Sequence, residues 1–388
     1  MRSNWKLNRK SKKNQSKLKV IILIFILLYC LFIGSIEKNI DDNLILYNEL
    51  DQPSILPDWI DNEYHDYFKT IELLQELNTS YPHLIDVFSI GQSVQGRNIS
   101  CIRITNERNI SEKFVCFYEG CIHGCEWEAG ESCLYFAEYL LINNKINESI
   151  ANALNTSIIY IIPFLNPDGR ESDIRWNDNG IDLNRNFDVH FGRILSRNFK
   201  GGLIFNKIKI PGFIVPGIGI VSNCGKKPFS EPETKALKNF MKLLDASYFS
   251  FYISCHTAVH AFDGTSDQYY FPEYKLNNQQ KYIIKYVKEW VNTSTEYPAY
   301  YQDFTSFGTG NSIEWVYSQY NISTFVLEIL SKDYEPYISG GKHDNLTHWM
   351  KTSLSVYLYL LVNIENLYNW NIPDIEPLLP EGVPPDPI

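Results

Sequence analysis

The sequence predicts an α/β fold with a mixed, mostly parallel central sheet and helices on both faces. Two observations support this fold class. Segments with apolar residues at helical spacing alternate along the chain with short β-rich segments. Several of the β-rich segments, such as SIIYII and FSFYISC, are continuous apolar runs, which is typical of strands that helices cover on both faces.

The predicted elements begin at about residue 64. A helix in YFKTIELLQELNTS ends before a proline, and strands follow in LIDVFSI, NISCIRITN and KFVCFYEG, separated by turn signals such as QGRN. The later elements are, in order, a helix in EWEAGESCLYFAEYLLINN, a strand in SIIYIIPFLNPDG, a helix in EPETKALKNFMKLL, a strand in YFSFYISCH, a helix in QKYIIKYVKEWVN, a strand in ISTFVLEIL and a closing helix in NLTHWMKTSLSVYLYLLVNIENL.

Composition divides the chain into five parts. Residues 1–19 are strongly basic and residues 20–36 are apolar without a charge, which is typical of a cytoplasmic flank before a transmembrane anchor or a signal peptide. No clear A-x-A cleavage pattern follows, and this favours the anchor. Residues 37–60 are predicted to be a linker, 61–370 a folded domain and 371–388 a proline-rich acidic tail. We therefore expect the domain outside the cytoplasm, either anchored or secreted.

The net charge, the sequons and the cysteines lead to three further expectations. The net charge of −10 argues against nucleic acid as a partner. Eight N-x-S/T sequons suit an exported domain, namely those at Asn78, Asn98, Asn109, Asn147, Asn155, Asn292, Asn321 and Asn345. Of the eight cysteines, Cys30 falls in the apolar run, and we expect most of the others to be small buried hydrophobic residues.

Side chains that can bind a metal follow two of the predicted strands. His123 and Glu126 lie in GCIHGCEW, after the strand in KFVCFYEG, and His256 ends the strand in YFSFYISCH. Ligands collect at the carboxyl ends of strands in such sheets, so these three residues are expected to meet. Two histidines and a carboxylate are a ligand set typical of a catalytic Zn²⁺. His260 is a competing ligand, but it lies past the strand end.

Two further clusters contain charged side chains where strands end. Arg175, Asn184 and Arg185 lie in IRWNDNGIDLNRNFD around a glycine turn, and arginine is the natural bidentate partner of a carboxylate. Glu328 interrupts the apolar strand in ISTFVLEIL, where a carboxylate is costly unless it is paired or functional. Taken singly, Arg175 and Arg185 also suit solvated surface charges and Glu328 a buried ion pair. His256 alone also suits a core histidine.

Several motifs in order resemble the zinc metallocarboxypeptidases of the carboxypeptidase A/B/T type. They are SIGQSVQGRNI, HxxE, NPDG, the arginine before GIDLNRNF, FSEPET, the strand-end histidine, SIEW and the late glutamate. The resemblance covers about residues 64 to 365. It implies one Zn²⁺ per chain, held by His123, Glu126 and His256.

The resemblance also implies a role for the other candidate residues. Glu328 would be the general base and Arg175 would stabilise the oxyanion. Asn184 and Arg185 would bind the free C-terminal carboxylate of a peptide, so the enzyme would be an exopeptidase. Ile313, before the acidic position of SIEW, would lie at the base of the pocket for the C-terminal side chain, which favours an apolar or aromatic residue there.

The sequence departs from this family at three positions. Ser306 stands where the family usually has a mobile tyrosine, and Tyr300 or Tyr301 is a nearby substitute. Cys125 replaces an arginine between the first two ligands, and Ala258 replaces a frequent tyrosine.

We therefore expect a zinc-dependent carboxypeptidase acting on peptide or protein C-termini. A peptidoglycan stem-peptide hydrolase of the same fold is an alternative, since a carboxylate clamp suits a stem peptide as well. A zinc-binding pseudoenzyme is the second alternative, motivated by the missing tyrosine. The presence of Glu328 and Arg175 counts against it.

Overall fold

The computed structural model describes residues 54–58, 64–192, 203–205, 213–215, 219–257, 261–265, 276–295, 299–302, 310–329 and 346–368. These residues belong to a single unit, Tyr47–Ile388. The predicted basic segment 1–19, the apolar run 20–36, the tail 371–388 and most of the linker lie outside the described residues. Among the residues that are described, no helix combines the length and hydropathy needed to cross a bilayer.

Eleven strands form two sheets in the described part of the chain. In chain order they are β1 (Ile85–Gln92), β2 (Asn98–Ile104), β3 (Phe114–Gly120), β4 (Ser157–Ile162), β5 (Leu203–Phe205), β6 (Phe213–Val215), β7 (Gly219–Asn223), β8 (Phe249–His256), β9 (Ala261–Thr265), β10 (Ala299–Gln302) and β11 (Ser323–Glu328). Strands β5, β7 and β6 form a small sheet in that order.

The other eight strands form the central sheet, in the order β1-β2-β4-β3-β8-β11-β9-β10. The three pairs at its centre, β4 with β3, β3 with β8 and β8 with β11, are all parallel. The edge pair β9 with β10 is also parallel, whereas β1 with β2, β2 with β4 and β11 with β9 are antiparallel. The predicted mixed, mostly parallel sheet is confirmed.

The described helices are α1 (Tyr67–Ser80), α2 (Trp127–Asn143), α3 (Glu148–Thr156), α4 (Pro167–Glu171), α5 (Pro232–Leu243), α6 (Asn278–Ser294), α7 (Ser312–Tyr320), α8 (Leu346–Val362) and α9 (Ile364–Tyr368). Each helix predicted from the sequence is present, within a few residues of its expected ends. Helices α3, α4 and α7 were not predicted. All three begin at an asparagine cap: the side chain of Asn147 accepts from Ile150 N, that of Asn166 from Gly169 N and that of Asn311 from Glu314 N.

Helices cover both faces of the central sheet. Successive side chains of a strand point to opposite faces, and two neighbours in β3 illustrate the result. Phe117 belongs to a buried cluster that includes Phe240 of α5. The ring of Tyr118 packs instead 4.7 Å from that of Phe136 in α2 and 5.2 Å from that of Tyr357 in α8. Apolar faces on both sides of the sheet are thus buried, as its continuous apolar strands predicted.

Three neighbouring parallel strands bring their carboxyl ends to one edge of the sheet. Strand β3 ends at Gly120, β8 at His256 and β11 at Glu328. Glu328 is the register partner of His256, and Gly120 is the partner of Cys255. The strand order therefore places the loop after β3 beside the end residues of β8 and β11.

Candidate metal centre

His123, Glu126 and His256 meet at the carboxyl ends of β3 and β8. Each offers one ligand atom, and these atoms all lie within 4.8 Å of one another. Oε1 of Glu126 is 2.7 Å from Nδ1 of His123, and Oε2 is 2.8 Å from Nδ1 of His256. The two Nδ1 atoms are 3.2 Å apart. All three side chains are buried, so the structure brings the predicted ligands together in one enclosed site.

The loop that carries His123 and Glu126 is held by the loop that follows β4. The amide nitrogens of Leu165 and Asn166 donate to the carbonyls of Gly120 and Cys121, both at 3.1 Å. Residue 124 is a glycine because the two loops touch there. A Cβ on Gly124 would lie 2.4 Å from the Cα of Gly169, which is closer than any Cβ can approach. The NPDG motif therefore positions the metal loop.

Attraction between opposite charges dominates the pKa values in the site. Burial opposes the charge on Glu126, but His123 and His256 outweigh it and hold the pKa of this carboxyl well below its usual range. Burial likewise lowers the pKa of His256, but the carboxylate of Glu126 overcomes this and raises it to about 9. A metal that binds Nδ1 must displace this proton, so its binding will depend on pH.

Asp182 belongs to the candidate site but was not predicted from the sequence. This buried carboxylate lies between two of the predicted site residues: Oδ1 is 3.3 Å from Nε2 of His123, and Oδ2 accepts from Nε of Arg175 at 3.1 Å. Burial raises its pKa, but the charge of Arg175 and then that of His123 hold the pKa well below the usual range. A carboxylate behind a metal-binding histidine fixes the ring and its tautomer. The only sequence signal was its place in GIDLNRNF.

Arg175 is buried beside the metal site. Besides the bond to Asp182, its Nη1 lies 3.4 Å from Oε1 of Glu126. Burial lowers its pKa, but Asp182 and Glu126 together raise the pKa above its ordinary value. The carbonyl of Arg175 also accepts from Gly124 N at 3.2 Å, so its backbone is tied to the metal loop. Arg175 is therefore a fixed cation next to the three ligands.

Asn184 and Arg185 lie on the other side of His256, in a short 3₁₀ turn (Leu183–Arg185) that Asp182 caps. Nδ2 of Asn184 is 3.5 Å from Nε2 of His256, and its Oδ1 accepts from Ser312 N at 2.9 Å. Arg185 donates from Nη1 to the carbonyl of Asn184 at 2.7 Å. The two predicted clamp residues are therefore neighbours, next to the start of α7.

Glu328 and Ile313 complete the set of predicted residues. Glu328 is partly buried next to His256, and its charge contributes to the raised pKa of that histidine. Ile313 is buried in the first turn of α7, directly after Ser312, whose amide contacts Asn184.

Some of the predicted positions cannot be located. Ser306, Ala258 and the competing ligand His260 lie outside the described residues. Tyr300 and Tyr301 fall in β10, where only the backbone is described. Cys125 is buried in the metal loop. Seven cysteines of the described residues are buried and none forms a disulfide, as expected for small hydrophobic residues.

Comparison with known families now identifies the chain. The family model described as zinc carboxypeptidase matches residues 70–205 and 219–339. The chain belongs to the zinc carboxypeptidase family. Two imidazoles and a carboxylate are the donors that zinc prefers in such enzymes, so the buried ligand set of this carboxypeptidase-family chain fits the metal of its family.

Known relatives are similar to parts of this chain. Carboxypeptidase O of Bos taurus is 26% identical over 245 residues, which is 59% of this chain and 59% of that relative. Carboxypeptidase D of Mus musculus is 40% identical over 111 residues, 28% of this chain and 8% of the relative. The chain thus spans less than two thirds of the length of either relative.

Solved structures support the fold of this chain. The chain of bovine thrombin-activatable fibrinolysis inhibitor, solved with tick carboxypeptidase inhibitor, has a TM-score of 0.59 at 19% identity. The match covers 78% of this chain and 98% of that one. Carboxypeptidase A of Helicoverpa armigera has a TM-score of 0.58 at 18% identity, covering 86% and 80% of the two chains.

Proposed function

We propose that this chain is a zinc-dependent carboxypeptidase that removes the C-terminal residue of peptides or proteins. The observation that carries the proposal is the meeting of His123, Glu126 and His256 in one buried site, in a chain of the zinc carboxypeptidase family. These three residues would hold one Zn²⁺ per chain. A zinc ion there would lower the pKa of a water molecule and polarise the carbonyl of the scissile bond.

The chain's own residues would handle the protons and the charge. Glu328, beside His256, would take a proton from the attacking water and pass it to the leaving amine. Arg175 would donate hydrogen bonds to the carbonyl oxygen as negative charge develops on it. Its guanidinium is already fixed by Asp182 and Glu126, so little reorganisation is needed during the reaction.

Asn184 and Arg185 would bind the C-terminal carboxylate of the substrate. An amide and a guanidinium donate to both oxygens of a carboxylate, and the two residues lie side by side next to His256. An internal peptide bond has no free carboxylate beside it for these two residues to bind. Asn184 and Arg185 would therefore restrict cleavage to the last peptide bond of the substrate.

Ile313 would favour an apolar or aromatic C-terminal residue. An apolar wall leaves a charged side chain without a partner, which costs binding energy. The neighbouring Glu314 is the other candidate to contact the substrate. Its carboxylate lies 2.9 Å from Nδ1 of His190 and 3.5 Å from Nδ2 of Asn311, and the side chain is buried. These contacts favour Ile313 over Glu314 as the residue that selects the substrate.

Mass spectrometry of peptide products tests this function. The purified full chain is incubated with a peptide that ends in Phe and with one that ends in Lys, each with and without a chelator. We expect loss of the terminal Phe alone, abolished by the chelator and restored by zinc. Release of Lys in preference to Phe would contradict the role of Ile313 and leave the mechanism intact. No cleavage by the zinc-loaded protein would contradict the proposed activity.

The domain would act outside the cytoplasm, with residues 20–36 as a membrane anchor or a signal peptide. The basic flank and the apolar run support this arrangement. Four sequon asparagines, Asn78, Asn98, Asn292 and Asn321, are exposed, so a glycosyltransferase can reach them. A fall in apparent mass after treatment of the expressed protein with an endoglycosidase would support this location, and an unchanged mass would count against it.

A further inference from the structure

Another buried carboxylate lies next to the metal site, and none of the roles above uses it. Glu119 is the penultimate residue of β3, and its side chain is fully buried. Its oxygen Oε2 accepts from the hydroxyl of Tyr252 at 2.9 Å and from that of Ser254 at 2.8 Å. The hydroxyl of Ser312 is 3.5 Å from the same oxygen. Burying a carboxylate is costly unless the group is paired and hydrogen-bonded.

The local hydrogen bonds do not fully compensate this cost. Within the part of the chain that the structure describes, Oε1 of Glu119 is buried and has no hydrogen-bond partner. No arginine or lysine pairs with Glu119 among the described residues either. Burial raises the pKa of Glu119, and the charges of His256 and His123 in the site above oppose this rise.

Strand register connects Glu119 to one of the metal ligands. Glu119 is the partner of Ser254 in the parallel pairing of β3 with β8. His256 lies two residues after Ser254, and residues two apart in a strand face the same side of the sheet. The hydroxyl of Ser254 is 3.1 Å from Nε2 of His256. The serine thus lies between the carboxylate and the imidazole, within hydrogen-bond distance of both.

The direction of each hydrogen bond follows from the atoms involved. Nδ1 of His256 points to Glu126 and His123, so Nε2 is the nitrogen that points away from the ligand cluster. When Nδ1 binds a metal, Nε2 keeps its hydrogen and donates it to the oxygen of Ser254. The hydroxyl hydrogen of Ser254 is then available to Glu119, whose Oε2 accepts it at 2.8 Å.

We propose that Glu119 is a positioning residue for the metal centre, which orients the imidazole of His256 through Ser254. The site would then support its two histidines in different ways: His123 faces Asp182 directly, and His256 reaches its carboxylate through a serine. This inference rests on the proposed zinc site. Hydrogen-bonded partners behind a metal ligand typically contribute about 10- to 100-fold in metal affinity.

Zinc affinity, measured by competition with a chromogenic chelator, tests the proposal without any substrate. The variants are Glu119→Gln, Ser254→Ala and the double variant, and we expect each to bind zinc about 10-fold more weakly or worse. Because both residues act in one chain of hydrogen bonds, the double variant should lose little more than either single variant. Glu233→Gln is the matched control, since Glu233 is also fully buried but contacts Val94 and Asn177 instead of the metal site.

Spectra of the cobalt-substituted protein provide a second readout. A changed orientation of His256 alters the ligand field, so the visible absorption of bound Co²⁺ should shift in Glu119→Gln and Ser254→Ala but not in Glu233→Gln. Unchanged zinc affinity and spectra, with only a lower melting temperature, would overturn the proposal and make Glu119 a structural residue. If Glu119→Gln does not fold, unchanged zinc affinity in Ser254→Ala would overturn it equally. A wild-type chain that binds no zinc would instead refute the metal site itself.

Discussion

Asp182 links three parts of the site through one side chain. Its carboxylate contacts Nε2 of His123 and Nε of Arg175, and it accepts from the amide of Asn184 at 3.1 Å. The same buried carboxylate thus contacts His123, Arg175 and the backbone of Asn184. Its negative charge is held by Arg175 and His123, which keep its pKa low.

We expect Asp182→Asn to weaken zinc binding by about 10- to 100-fold, because the uncharged amide no longer stabilises the hydrogen on His123 Nε2. The substitution keeps the size of the side chain but leaves the buried Arg175 short of a counter-charge, so stability should fall as well. Chelator competition measures the affinity, with Glu233→Gln as the control. A zinc affinity equal to that of the wild type would contradict the role assigned to Asp182.

Glu328→Gln separates catalysis from metal binding. The residue lies beside His256 but is not one of the three grouped ligands, so the variant should keep its zinc. The rate constant kcat should fall by about 10²- to 10⁴-fold, because the amide cannot accept the proton of the attacking water. Glu289→Gln, an exposed change in α6, should leave kcat unaltered. Loss of zinc together with activity would show that Glu328 acts as a ligand.

At the scale of single residues, the sequence predicted the candidate ligands that lie where strands end. His123, Glu126 and His256 follow apolar strands, and the structure brings them together. Asp182 and Glu119 were missed for different reasons. Asp182 lies in an irregular loop whose path no periodicity predicts, and Glu119 looks like an ordinary strand residue until the register places Ser254 opposite it.

The loops after β3 and β4 act as one element of the site. Two backbone hydrogen bonds join them, and Gly124 packs directly on Gly169. The same contact brings the carbonyl of Arg175 to the amide of Gly124. The position of the metal loop therefore depends on a loop that contributes no ligand.

Gly124→Ala should damage both stability and metal binding. The added methyl group would overlap the backbone of Gly169, so one loop must move, at a cost of about 1–3 kcal/mol. Because His123 and Glu126 flank the substituted position, zinc affinity should fall in parallel. Urea unfolding and zinc titration measure the two effects. A variant with the wild-type unfolding midpoint and zinc affinity would show that the loops tolerate a wider spacing.

Helices and strands were predicted well where the periodic pattern is long, and helices were missed where it is short. The strands of the sheet centre and the long helices α2 and α8 match their sequence patterns. The nine-residue helices α3 and α7 were missed because each has room for only a few periodic positions. Their asparagine caps, at Asn147 and Asn311, were the available signals.

At the scale of the whole molecule, the sheet order decides which residues can meet. Alternating strands and helices predicted a mixed, mostly parallel sheet, but they do not specify that β3, β8 and β11 are neighbours. That order depends on long-range pairings that no local pattern encodes. The structure supplies it and shows β3, β8 and β11 side by side.

Buried carboxyl groups should make stability depend on pH. Burial raises the pKa of Glu233 from 4.5 to about 7, although Asn177 and Val94 donate to it. The folded chain then holds a proton that the unfolded chain releases at lower pH. The stability that this proton on Glu233 contributes is fully present below pH 4.5 and is lost as the pH rises to about 7.

Glu233→Gln removes this dependence because the amide has no proton to release. As the pH rises from about 5 to 8, the free energy of unfolding of the variant should increase relative to that of the wild type by an amount on the order of 3 kcal/mol. Urea unfolding of both proteins at the two pH values, with chelator present, measures the difference. A stability difference that does not change with pH would show that Glu233 is already ionised at low pH in the folded chain.

The central claim is that the site cleaves only the bond next to a free C-terminal carboxylate. Its most direct test compares one Phe-terminated peptide as the free acid and as the amide, with the zinc-loaded full chain and mass spectrometry of the products. Asn184 and Arg185 have no carboxylate to bind in the amide, so we predict that the free acid loses its Phe and that the amide stays intact. Cleavage of the amide at a comparable rate, or at an internal bond, would contradict the account.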